Sequence, residues 1–218
     1  MRKLLLIAAM LLAGATASFA QLHVGAGYYG ELMTSKWNEG NLKHKTSGDM
    51  HGFYAGASYN IAVSEIGIGL APGAYFNFVG EIDKNIIEDI FTRRLSLELP
   101  VHVTYTHELG PGSIFAYAGP AFNVGLAFKS TGKIYDDIEE KWVKTTADLY
   151  KNYNGIKSEL HRFDCKLGIG VGYQWEHLAA NMGWDFGLLN QVRGEYRDKN
   201  TKNATHIHSW HIGVAYVF

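Results

Sequence analysis

From Phe163 to Glu176 the chain alternates without a break. Phe163, Cys165, Leu167, Ile169, Val171, Tyr173 and Trp175 form one column, and Asp164, Lys166, Gly168, Gly170, Gly172, Gln174 and Glu176 form the other. Successive side chains of a strand point to opposite faces, so this segment predicts a long strand with one apolar face and one face of glycine and polar groups. The pattern recurs in Arg93 to Thr106, where Leu95, Leu97, Leu99, Val101, Val103 and Tyr105 oppose Arg94, Ser96, Glu98, His102 and Thr104. Ile114 to Phe128 sets Ile114, Ala116, Ala118, Phe122, Val124, Leu126 and Phe128 against Tyr117, Gly119, Asn123 and Gly125. Leu178 to Leu188 places Leu178, Ala180, Met182, Trp184, Phe186 and Leu188 opposite Asn181, Gly183, Asp185 and Gly187. The chain ends on Ile212, Val214, Tyr216 and Phe218 against His211, Gly213 and Ala215. Looser alternation marks Leu22 to Leu32, Met50 to Ile61 and Glu65 to Phe78.

The connections between these strands are Met33 to Asp49, Ala62 to Ser64, Val79 to Thr92, His107 to Ser113, Lys129 to Leu160, His177, and Asn190 to Ala204. They alternate long and short. In an antiparallel meander this gathers every long loop at one end and both termini at the short-turn end. The glycine-rich column suits the narrow interior of a small ring, which leaves the apolar column facing outward. The expected fold is all-β, an eight-stranded antiparallel up-and-down transmembrane β-barrel spanning residues 21–218. Tyr59, Tyr105, Tyr173, Trp175, Tyr216 and Phe218 would line its short-turn rim, and Phe78, Phe128 and Phe163 its long-loop rim.

Composition narrows the function classes. Twenty Lys and Arg against 21 Asp and Glu give a net charge of -1, which offers no bulk electrostatic drive toward nucleic acid. Hydrophobic residues make up 47% of the chain, yet no run reaches the ~18 residues of a membrane-spanning helix. Glycine is frequent, with 25 residues against only 4 prolines, in keeping with a crowded lumen rather than a linker. The lone Cys165 has no partner for a disulfide and no metal-ligand spacing. Residues 1–20 read as an export signal, with Arg2 and Lys3 before an apolar stretch and cleavage between Ala20 and Gln21.

An export signal, alternating strands and a last strand of Ile212-Gly213-Val214-Ala215-Tyr216-Val217-Phe218 resemble small outer-membrane barrels of the OmpA/OmpX type. The segment Arg94-Leu95-Ser96-Leu97-Glu98-Leu99-Pro100-Val101 further resembles a strand of PorT-like outer-membrane β-barrel domain proteins, with Ser96 where that pattern has an aromatic residue. The resemblance implies residence in the bacterial cell outer membrane, contact with its lipid, and delivery to the barrel-assembly machinery through Tyr216 and Phe218. It implies no cofactor and no catalytic activity.

Several motifs carry chemistry in other settings. Gly25-Ala26-Gly27-Tyr28-Tyr29-Gly30 matches G-x-G-x-x-G, but it lies inside a strand pattern, not in a strand-to-helix turn. His206 and His208 fall on one strand face and His211 on the other, so the three do not converge on a metal ion. His208 and Ser209 likewise point apart, against a hydrolytic pair. Asn203-Ala204-Thr205 matches a glycosylation sequon that has no role in a bacterial outer membrane. Inward charges are the remaining candidate: Arg94, Glu98, His102, Asp164, Lys166, Asp185 and His211 should pair across the lumen, joined by Glu31, Glu65, Glu176 and His23, because an unpaired charge in a closed interior is expensive. Such a barrel is no general pore; its role is structural or an interaction mediated by its long loops with an extracellular ligand. The loop Lys129 to Leu160 carries Tyr135, Trp142, Tyr150 and Tyr153, with Asp136 to Tyr153 forming a helix or extending the hairpin; Asn85 to Phe91 is a second apolar loop. A soluble periplasmic lipocalin-like barrel holding an apolar ligand and a lipid-modifying barrel enzyme are the alternative readings.

Overall fold

The computed structural model describes residues 20–39, 42–84, 89–136, 141–151, 158, 160–193 and 203–218. Its strands are β1 (Ala20–Glu39), β2 (Leu42–Ala62), β3 (Ile68–Lys84), β4 (Asp89–Leu109), β5 (Gly112–Asp136), β6 (Lys141–Asp148), β7 (Phe163–Trp175), β8 (Leu178–Gly187) and β9 (Ala204–Val217). Their order is β4-β3-β2-β1-β9-β8-β7-β5-β6, and pairing of β4 with β5 joins the two ends of that series into an antiparallel, up-and-down ring of eight strands. β6 stands outside the ring, paired only with the far end of β5. Closure removes the sheet edges, so each backbone polar group in the wall has an internal partner, as hydrocarbon surroundings demand. The first and last strands complete the seam from His23↔Val217 to Lys36↔Ala204, and the Phe218 amide donates to the Leu22 carbonyl at 2.9 Å.

The two faces of this wall invert the usual rule for a soluble protein. Val214 is 64% exposed on the outside, whereas Lys166 is 0% and Arg94 1% exposed on the inside. Leu99, Val103, Ile169, Val171 and Met182 continue the apolar exterior, and Tyr105, Tyr173, Trp175, Tyr216 and Phe218 project outward at the short-turn rim. An exterior of this kind is solvated by lipid, so the soluble alternative, which turns the same column inward, does not describe this chain.

Short turns close the inner end. Gly110 and Pro111 join β4 to β5, with Gly110 in the left-handed region at φ 64°. Glu176 and His177 join β7 to β8, and Glu176 itself adopts φ 51°. This turn places Glu176 at the rim, and Glu65 sits exposed in the β2–β3 turn; neither faces the lumen as the alternation suggested.

At the opposite end the strands run farther than the apolar columns do. The expected loop Met33 to Asp49 is largely a hairpin, paired from Met33↔Gly48 up to Glu39↔Leu42. Its residues, rich in Thr, Ser and Lys, keep strand pairing without an apolar face because no hydrocarbon lies beside them. The expected loop Lys129 to Leu160 similarly contains the β5–β6 hairpin, matching the strand-extension option for Asp136 to Tyr153 as far as Asp148, with residues 137–140, 152–157 and 159 outside the described set. Of the apolar loop Asn85 to Phe91, residues 85–88 also lie outside it. A register shift between β4 and β5 at Leu95/Ser96 changes one further assignment. It pairs Gly125 with Ser96 and Ala127 with Leu95, leaving Leu126 as the extra residue. Phe128 is thereby turned into the lumen opposite Arg94, where it is 4% exposed, and does not join Phe78 and Phe163 on the outer aromatic rim.

The direction of the wall gives a direct test. Leu97→Arg and Ile169→Arg should each cost about 2 to 4 kcal/mol in membrane insertion near the bilayer midplane. The expected result is loss of the fast-migrating, unheated barrel form from the outer-membrane fraction on electrophoresis; normal assembly of both variants would place the apolar face elsewhere.

A buried charge network and candidate lumen site

Alternation on β1, β4, β5, β7 and β9 delivers polar side chains to one level of the lumen. Arg94 on β4 forms a buried ion pair through Nη1 with Glu31 on β1, and its Nη2 donates to Asn123 Oδ1 on β5 at 3.0 Å. Lys166 on β7 donates from Nζ to Glu98 Oε2 at 3.1 Å, to the Tyr29 hydroxyl at 3.1 Å and to Ser209 Oγ at 2.8 Å. Asn123 closes the circuit, its Nδ2 donating to Glu98 Oε2 and to Ser96 Oγ, each at 3.2 Å. The Tyr29 hydroxyl lies 3.4 Å from Glu98 Oε2 and 3.5 Å from Glu31 Oε1, so it bridges the two ion pairs. Lys166 Nζ also sits 5.8 Å from the Tyr29 ring centroid. Desolvating two cations and two carboxylates is tolerable only with this degree of hydrogen bonding.

A second group hangs from the first toward the short-turn end. Ser209 Oγ donates to Asp185 Oδ2 at 3.2 Å, and His211 Nδ1 is 3.8 Å from the same oxygen. His211 Nε2 meets the Tyr117 hydroxyl at 2.8 Å, while His102 stacks on the Tyr117 ring with centroids 4.9 Å apart. Gly170 and Gly183 make this possible, because a Cβ at either would collide with the Tyr117 phenol where it crosses the lumen. Asp164 belongs to neither group: its Oδ1 accepts from the Leu189 amide at 3.3 Å. The structure therefore joins Glu98 with Lys166 and Asp185 with His211, gives Arg94 to Glu31, and leaves His102 and Asp164 at the margins.

Tyr29, Ser209 and Tyr150 also take part, although sequence reading did not place them in the charge network. Tyr29 shares the strand parity of Glu31, and Ser209 that of His211, so both were within reach of the alternation. Tyr150 was not, because it comes from the segment after β6. Its hydroxyl accepts from Arg94 Nε at 3.0 Å, its ring packs on Phe128 at 5.6 Å, and Arg162 lies 4.9 Å above it. Gly125 supplies the space, since any side chain there would strike the Tyr150 hydroxyl. The Leu149 amide, donating to the Phe128 carbonyl at 2.8 Å, fixes the segment to the wall. Tyr150, Phe128, Met50 and Val79 thus form an apolar stopper on the loop side of the charges.

Below the charges the lumen opens into a cavity of about 110 Å³ lined by Tyr54, Tyr75, Tyr117, His102 and Asn181 among others. Asn60, Thr106 and Gln174 line both this cavity and the recess at the short-turn mouth. Its volume is well below the roughly 300 Å³ at which drug-sized ligand pockets begin, and its wall mixes aromatic rings with amide, imidazole and hydroxyl groups. Ser209 and Lys166 make a serine–lysine contact, but both are fully buried beneath the stopper. His206 and His208 project outward and His211 inward, and among the described residues no cluster of three potential ligands suits a metal ion.

Comparison with known proteins speaks to the fold. Neither a protein-family model nor a curated protein matches the sequence. Among solved structures, the attachment invasion locus protein Ail of Yersinia pestis, in complex with the heparin analogue sucrose octasulfate, is 11% identical with a TM-score of 0.45, covering 92% of this chain and 99% of that one. Neisserial surface protein A is 11% identical with a TM-score of 0.36, covering 89% and 97%. The N-terminal β-barrel domain of Pseudomonas aeruginosa OprF is 11% identical with a TM-score of 0.30, covering 88% and 99%. A closed ring of eight antiparallel strands with an apolar exterior, a polar interior and unequal loops at its two ends is the architecture of a small membrane-spanning β-barrel, and this chain has that fold.

Proposed function

We propose that this barrel is a closed anchor of the bacterial outer membrane that presents its long-loop end to the exterior and does not act as a diffusion pore. The observation that carries the reading is the stopped lumen. Arg94, Glu31, Lys166 and Glu98 cross it with side chains 9% exposed or less, and Tyr150 covers them from the loop side. Eight strands leave room for side chains to fill the interior, so opening a path would require dismantling ion pairs in a low-dielectric space. The loop end, by contrast, projects two hairpins beyond the lipid-facing wall, Met33 to Met50 and Lys129 to Asp148, which is where a rigid scaffold offers a binding surface.

The ends of the chain fit the same reading. Phe218 is exposed at the short-turn rim, its ring 4.7 Å from Tyr216, so the outward aromatic pair is available to the assembly machinery as the last strand arrives. Removal of residues 1–20 would leave Gln21, paired with Asn60, as the first residue of the mature β1. Mass measurement of the protein from the outer membrane should accordingly show an N-terminus at Gln21; retention of residues 1–20 would refute the cleavage assignment.

In planar bilayers the folded protein should show no stable open conductance of porin size. Glu98→Ala should lower stability by about 3 to 5 kcal/mol, because it strands buried Lys166, with Glu98→Gln less damaging. Urea unfolding followed by electrophoretic mobility checks the ranking. A large steady conductance in the unaltered protein, or full stability of Glu98→Ala, would overturn the closed-anchor reading.

A further inference from the structure

On one side of the barrel the exterior changes from apolar to basic at the outer aromatic rim. Tyr28, His51 and Trp210 pack together on the outside of β1, β2 and β9, with Tyr28 centroids 5.9 Å from His51 and 5.3 Å from Trp210. Phe53, next in the same outward column of β2, is 59% exposed below them. Toward the loop end the outward columns then carry His208 and His206 on β9, Lys36 on β1, and Lys45 and Lys43 on β2. Register sets Lys36 directly opposite Lys45, Lys43 opposite Asn38, His206 opposite Thr34 and His208 opposite Leu32. The two imidazoles stack with centroids 6.5 Å apart.

This arrangement lacks an anion. Like charges placed directly opposite each other on an antiparallel pair repel. Among the described residues none of Lys36, Lys43 and Lys45 forms an ion pair, and Asp49, the carboxylate on this face, is engaged by His51 at 2.7 Å. From His208 to Lys36 the basic strip rises about 10 Å along the barrel axis, four residues of a tilted strand, comparable with the depth of a headgroup layer. We propose that this face binds the phosphate groups of the outer leaflet's glycolipid, with its acyl chains lying along Phe53, Tyr28 and Trp210. The strip looks sideways into the leaflet and is continuous with the aromatic rim that marks the hydrocarbon boundary, which favours a lipid over a soluble polyanion. The inference rests on the placement of the barrel in the outer membrane and adds a specific lipid contact to it.

The test uses the folded, processed chain in detergent micelles, titrated with purified lipopolysaccharide and with the same lipopolysaccharide after chemical removal of its phosphates. The phosphorylated form should bind, with affinity falling as salt rises, and the dephosphorylated form should bind far more weakly. The double variant Lys36→Gln/Lys45→Gln should bind at least about tenfold more weakly, a change of about 1.4 kcal/mol. Lys133→Gln/Lys144→Gln, an equally opposed pair on the β5–β6 hairpin away from this wall, should bind normally. If the Lys36 and Lys45 variant fails to fold, His206→Gln/His208→Gln reads the same face and should also weaken binding. Equal binding of the dephosphorylated lipid, equal losses in the Lys133 and Lys144 variant, or displacement of the lipid by heparin at matched charge would overturn the proposal. The heat-dependent mobility shift of each variant reports the barrel separately, so absence of a shift in the unaltered protein would count against the barrel, while a normal shift without lipid binding would count against this site alone.

Discussion

Closure at eight strands is the constraint from which the rest of the molecule follows. Once the backbone of each strand is satisfied by its two neighbours, the wall can lie in hydrocarbon, but the ring it makes is too narrow to hold bulk water throughout. Whatever points inward must therefore either vanish or be matched. Glycine does the first where Tyr117 and Tyr150 cross the lumen, at Gly170, Gly183 and Gly125. Hydrogen-bonded charge does the second at the level of Arg94 and Lys166. The two solutions depend on each other, because a side chain on any of those glycines would occupy the space into which the tyrosine hydroxyls reach.

The same constraint divides the lumen along its axis. On the loop side, Tyr150 enters from outside the ring and packs with Phe128, so the network has an apolar lid on the side from which water would otherwise reach it. On the short-turn side no comparable lid exists among the described residues, and the interior widens into a cavity of mixed aromatic and polar lining that shares its lower wall with the mouth. The charges are thus reached, if at all, from the end opposite the long loops. This asymmetry agrees with the loops acting on the exterior while the lumen serves stability.

Alternation made the fold readable because it is imposed twice, once by lipid outside and once by the crowded interior. Where only one of those pressures operates, the reading weakens. The hairpin from Met33 to Asp49 has no hydrocarbon outside, so its strands carry no apolar column and resemble a loop in sequence. Phe128 fits the outward column by simple counting, and only the extra residue at Leu126 moves it inside. Glu65 and Glu176 share the inward parity of their strands but lie past the last paired residues, where parity stops meaning anything. For the network, the members carried on strands could be named from their column, whereas their partners could not, since pairing across a ring depends on register and tilt that a single strand's pattern does not contain.

The composition of the network shows why so many neutral groups belong to it. Four carboxylates, Glu31, Glu98, Asp164 and Asp185, are buried in the lumen against two buried cations, Arg94 and Lys166. Ion pairing engages Glu31 through Oε1 and Glu98 through Oε2. The two aspartates are met by other donors, Asp185 by Ser209 and His211, and Asp164 by the Leu189 amide. Tyr29 and Asn123 then link what would be two separate pairs into a single connected layer across the lumen. A layer held at so many points resists removal of any one member less well than it resists solvent, because each side chain is an orienting partner for the next. Rigidity at this level fixes the relative positions of β1, β4, β5, β7 and β9, and through them the bases of the two hairpins that rise above the membrane.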